Sequence, residues 1–149
     1  MPKPPGFEAA AITAAAQALA SGEPLERAAA ARLSRMICGE LAARHPGRSI
    51  ELRVPPFAAV QLGMDEAGAH RRGTPPNVIE LDAATLVRLA AGSLAWEDAR
   101  AEHLVRASGI RSDLAAFFPL TTPSRTDAPA PPRGPDSGPT GSPQDSGTR

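Results

Sequence analysis

The sequence predicts an α+β domain, because its hydrophobic period changes from that of a helix to that of a strand and back. Leu33, Ile37 and Leu41 recur every four residues with Met36 beside them, which gives the stretch ending near Arg44 one apolar helical face. Ile50, Leu52 and Val54 then alternate with Glu51 and Arg53, the pattern of a half-buried strand. Further on, Asp82 and Gly92 bracket an apolar run as a helix N-cap and a C-terminal stop. The order helices, strands, helices, strand, helix predicts a mainly antiparallel sheet of about four to five strands, with helices packed largely on one face.

Phe7 to Ala20 is an Ala-rich helix closed by Ser21-Gly22. Pro24 suits the first turn of the next helix, which runs to about Arg44 and stops before His45-Pro46-Gly47. After the first strand, Pro55-Pro56 removes two backbone donors and must bend or end it. Phe57 to Leu62 is a second extended run, and Gly63 to Pro76 a polar loop. Asn77 to Leu81 is a third strand, leading into the helix Ala83 to Ala91. Ser93 is expected to cap the following helix, with Glu97 and Asp98 complementing its dipole. Leu104 to Ala107 forms a fourth strand ending at Ser108-Gly109, and Ser112 caps a last helix, Asp113 to Phe118, stopped by Pro119.

Domain organisation follows from composition. From Thr121 to Arg149 there are seven Pro and four Gly, and the aliphatic side chains are Ala128 and Ala130 alone. Such a segment buries too little apolar surface to offset its ordering entropy, so residues 121–149 are expected to be a disordered tail. Residues 1–22 form an Ala-rich helical extension and residues 23–120 the α+β domain. Lys3 and the Ala-rich run ending Ala18-Leu19-Ala20 imitate a signal peptide, but Pro2, Pro4, Pro5, Glu8 and Gln17 fit an ordinary helix better. No apolar stretch in the sequence reaches membrane-spanning length.

Sixteen basic and sixteen acidic residues cancel, and within residues 1–120 they cancel again at thirteen each. That balance supplies no field to steer nucleic acid or an anionic membrane. Cys38 is the single cysteine, which rules out an internal disulfide framework and fits a reducing cytoplasm. It falls within the long helix and reads as a small apolar residue.

Catalytic and metal chemistry find little support in the motifs. His45, His70 and His103 lie in different elements without helical metal-site spacing, so no metal and no cofactor is expected. Ser34, Ser93, Ser108 and Ser112 lack a nucleophile-elbow context, and no catalytic residue is assigned. Glu80 and Asp82, two apart, reach the same side of a continuing strand as a carboxylate pair, although a cap and a solvated edge residue explain them as well. Arg71-Arg72 before Gly73-Thr74 is a candidate for holding a carboxylate or phosphate through bidentate hydrogen bonds, beside the plainer reading of a solvated loop.

The stretch from Asn77 to Leu120 carries a further pattern. Asp82, Leu86, Leu89, Gly92, Leu94, Ala99 and Gly109, together with Arg53 to Gln61 and His70 to Glu80, fall in an order that resembles the sterol carrier protein (type 2) superfamily, in its actinobacterial branch of bacterial orthologs. The resemblance covers roughly residues 25–120, with one departure: His103 stands where the family usually has Gly. It implies a sterol-carrier-like fold that leaves an apolar tunnel between helices and sheet for an acyl chain or sterol. Carried over to this chain, the lining candidates are Phe57, Val60, Ile79, Leu86, Leu89, Trp96, Phe117 and Phe118, with Arg71 or Arg72 meeting a polar head group. The expected function is a non-catalytic cytoplasmic carrier of a lipid or acyl-type ligand. The alternative is an interaction module with a filled core and a protein partner, served by the Pro-rich tail and the first helix.

Overall fold

A computed structural model describes residues 6–64 and 77–121. The elements are α1 (Ala9–Ala20), α2 (Arg27–Arg44), β1 (Ile50–Val54), β2 (Ala58–Leu62), β3 (Asn77–Leu81), α3 (Ala83–Ala91), α4 (Trp96–Ala101), β4 (Val105–Ser108) and a final 3-10 turn, Ala115–Phe117. The expected α+β class holds. The tail beyond Thr121 lies outside the described residues.

Alternation along the strands sorts the sheet into two faces. Ile50, Leu52 and Val54 of β1, Leu62 of β2, and Ile79 and Leu81 of β3 are buried, while Glu51, Arg53 and Gln61 face the other way. The buried face joins α1, α2 and α3 in one core cluster. At the centre is α3, where Ala83, Thr85, Leu86, Val87, Leu89 and Ala90 are all buried, so nearly its whole circumference is covered. It packs against α1 and α2, and α2 also packs on β2. Burying each such Leu or Ile stabilises the domain by about 1.5–3 kcal/mol before ordering costs.

The sheet is mixed rather than mainly antiparallel. Its four strands lie in the order β2-β1-β3-β4; β1 pairs antiparallel with β2, β3 antiparallel with β4, and β1 parallel with β3. Period-two alternation fixes which face a side chain takes but says nothing of the neighbouring strand's direction. A tight turn, in which the Phe57 N–H donates to the Val54 carbonyl at 2.8 Å, sends β2 back along β1. The long connection after β2 then begins β3 level with the start of β1, Ile50 beside Asn77.

Local signals are met in part. Asp82 Oδ1 accepts from the Thr85 N–H at 2.7 Å, and Gly92 closes α3 in the left-handed region at φ 79°. Ser93 does not cap α4: its hydroxyl turns back to donate to the Arg88 carbonyl, and Ala95 occupies the cap position without a side-chain bond. The last expected helix shrinks to one 3-10 turn, with Asp113 Oδ1 accepting from the Ala115 N–H and Ser112 Oγ donating to the Gly109 carbonyl. Pro119 disfavours the helical region for the residue before it, and Phe118 is extended at φ −116°, ψ 152°.

Two side chains lace the ends together. Buried Asn77 donates through Nδ2 to the Ser49 carbonyl and accepts through Oδ1 from the Arg111 N–H, both at 3.0 Å. Thr121 donates through Oγ1 toward the Ala90 and Ala91 carbonyls, while the Leu120 N–H also bonds Ala90. The C-terminal carbonyls of α3, which lack helical partners, are thereby satisfied by the segment that ends the described chain.

Candidate functional site

The eight apolar candidates fall in or against a single cluster, at different depths. Ile79, Leu86 and Leu89 are fully enclosed, Trp96 and Phe117 are buried, and Phe57, Val60 and Phe118 are half-buried at its margin. Register places Val60, Leu52 and Ile79 in one row across three strands, so the margin at β2 leads directly to the centre of the sheet. Phe57 lies under the Arg27 guanidinium, 5.5 Å from the ring centroid. Trp96 faces Phe118, their centroids 6.5 Å apart and their planes 19° apart, and Phe117 stacks on His45 at 3.9 Å.

One polar atom within this set lacks a partner. The Trp96 indole N–H is buried and makes no hydrogen bond among the described residues. An unmade bond at a buried donor costs about 1–3 kcal/mol, which makes such atoms uncommon. The family resemblance placed Trp96 in the apolar set, and the sequence had no signal for the unpaired N–H. The Ser34 hydroxyl in α2 is also buried without a partner.

A depression of about 240 Å³ with mixed polar and apolar walls opens where the parallel strands β1 and β3 end and β4 begins. Pro55, Glu80, Leu81, Asp82, His103, Leu104 and Arg106 line it, and none of the apolar candidates is among them. Glu80 and Asp82 do meet there, but Asp82 is engaged as the α3 cap and Glu80 sits opposite Arg106 in the β3–β4 register. Arg53, hydrogen-bonded to Glu51 at 2.6 Å, is held above its ordinary range by Glu51 first and then by Glu80. Of the two carboxylates, Asp82 is thus taken up in holding the start of α3. Among the described residues, no three His, Cys, Asp or Glu side chains converge as metal ligands.

His103 at the rim takes φ 58°, the left-handed region that favours glycine. Its backbone thus takes the conformation of the Gly that the resemblance led us to expect here, at the cost of a side chain in that region. Cys38 is buried in α2 and desolvation pushes its thiol up to about 12, which removes the thiolate needed for reactivity at neutral pH. Arg71 and Arg72 lie outside the described residues.

The strand, capped α3, Gly92 stop, short α4 and left-handed turn into β4 reproduce in space the order of motifs read from Asn77 to Gly109. A family model described as "Bacterial SCP ortholog" matches residues 26–120. The chain belongs to this family. The bacterial SCP ortholog match starts at the N-cap of α2 and ends at Leu120, beside the bonds that tie the chain end to α3. Helix α1 precedes the matched region yet gives buried Ile12 and Ala16 to the same core. No curated protein matches the chain. Among the described residues, no helix is long and apolar enough to cross a membrane.

Proposed function

We propose that this chain is a non-catalytic, cytoplasmic carrier-like domain that holds a lipid or another apolar ligand between its sheet and its helices. Membership of the bacterial SCP ortholog family is the observation that carries this reading. The row from half-buried Val60 to enclosed Ile79, with Phe57 and Phe118 also at the margin, supports it by offering apolar surface continuous from outside to inside. Ligand sites are themselves mostly apolar with a few placed polar groups. In this reading residues 23–120 are the carrier unit, residues 1–22 an extension whose helix α1 packs on it, and 121–149 a tail whose first residue, Thr121, is still bonded to α3. Arg71 or Arg72 meets the polar end of the ligand.

A second reading, a docking module with a filled core, draws on a different observation. Ile79, Leu86 and Leu89 have no exposed surface, and α1 presents Ala9, Ala10, Thr13, Ala14 and Gln17 without a charge among them. Titration of the delipidated full chain with palmitate and with cholesterol, followed by the fluorescence of its single Trp, separates the two. A saturable change with either lipid supports the carrier; a flat response to both supports the docking module.

A further inference from the structure

The unpaired indole N–H of Trp96 limits what a ligand beside it must carry. Trp96 is 3% exposed, and its Nε1 has no acceptor among the described residues. The ring facing the indole, 6.5 Å away between centroids, belongs to half-buried Phe118. Phe117 is buried against His45, and Leu120 and Thr121 are bonded to the Ala90 carbonyl. Phe118 is therefore a half-open side chain between bonded or buried Phe117 and Leu120, beside a donor that no described residue satisfies.

An indole N–H donates and never accepts, so its partner must present an acceptor. A carboxylate buried there would carry the desolvation cost of an ion. An uncharged oxygen carries no such penalty. Resting on the carrier reading above, we propose that Trp96 Nε1 donates a hydrogen bond to an uncharged oxygen (an ester carbonyl or a hydroxyl) of an apolar ligand admitted past Phe118. The site thus selects neutral, oxygen-bearing lipids over bare hydrocarbons and over free fatty acids.

Because Trp96 is the only Trp, growth on a benzothiophene analogue of tryptophan replaces the N–H by sulfur while keeping the ring's shape. The full-length, delipidated chain is titrated in both forms with 1-decanol, methyl decanoate, decanoate and decane. The native form is expected to prefer decanol and methyl decanoate. The sulfur form is expected to bind these two about threefold to tenfold more weakly and decane unchanged, the effect of one neutral hydrogen bond. Its ligand-free melting temperature should stay level or rise, because no satisfied bond is lost; a clear fall would mean that the N–H has a structural acceptor and would overturn the proposal. Decanol binding equally well in both forms, or decanoate binding best, would overturn this proposal and leave the carrier reading standing. Failure of all four to bind would remove both.

Discussion

The His45 imidazole lies flat on the Phe117 ring, with centroids 3.9 Å apart and planes within 2°. His45 ends α2 and Phe117 ends the last 3-10 turn, so this one stack joins the entry to the sheet to the close of the fold. Truncating a buried Phe loses its transfer energy and leaves a cavity. Phe117→Ala is therefore expected to cost about 3–5 kcal/mol, and His45→Ala about 0.5–1.5 kcal/mol, the worth of the ring pair itself. Urea unfolding of both variants checks the order; equal costs would mean that the stack, rather than burial, holds Phe117.

Asn77 bonds Ser49, before β1, and Arg111, after β4, from a buried side chain. Asn77→Ala leaves a carbonyl and an N–H without their partner and is expected to cost about 2 kcal/mol. The destabilisation should come as a lower urea midpoint with an unchanged slope. A loss under about 0.5 kcal/mol would show that water replaces both bonds.

His103 holds φ 58°. A left-handed conformation costs a non-glycine residue about 1–2 kcal/mol, and glycine returns part of that through its greater unfolded-state freedom. His103→Gly is thus expected to stabilise the domain by about 0.5–1 kcal/mol, read as a higher melting temperature. His103→Val should destabilise it, because a β-branched side chain fits that region worst. A less stable glycine variant would assign the imidazole a contact worth more than the backbone strain.

Cys38 links burial to pH. Its folded thiol is pushed up to about 12 by burial, whereas an exposed thiol in the unfolded chain titrates near 9.0. The raised value favours the protonated folded form, so its contribution is whole below the unfolded value of 9.0 and is lost as pH rises toward the folded one. Between those limits the unfolded state binds fewer protons, and stability falls by at most about 1.4 kcal/mol per pH unit. Urea unfolding at pH 7.5 and 10.5 should show a steeper decline for the native chain than for Cys38→Ala. Parallel declines would contradict the burial of the thiol.

Much of this fold was legible because each side chain announces its own environment. Leu33, Ile37 and Leu41 mark the buried stripe of α2, the alternation from Ile50 to Val54 marks the inner face of β1, and Asp82 and Gly92 mark both ends of α3. The direction of β3 was not legible, because alternation is the same in parallel and antiparallel pairs. Ser93 failed as a cap because α4 begins only at Trp96, with Ala95 at its cap position, and the Ser93 hydroxyl joins the bonds that close α3 at the Arg88 carbonyl. The candidate site was legible in residue type but not in depth: Leu86 and Phe118 are equally apolar in sequence, yet one is enclosed and the other half-open. The unpaired state of the Trp96 N–H depends on what surrounds the indole in three dimensions, which no spacing encodes.

Native mass spectrometry of the full chain purified from its own host, with organic extraction of whatever it carries, tests the carrier assignment most directly. The carrier reading predicts a stoichiometric lipid on the native protein, lost when Phe118 or Val60 is replaced by a charged residue in a variant that still unfolds cooperatively. A bare chain that also takes up no lipid added afterwards would contradict it and leave a docking module with a filled core.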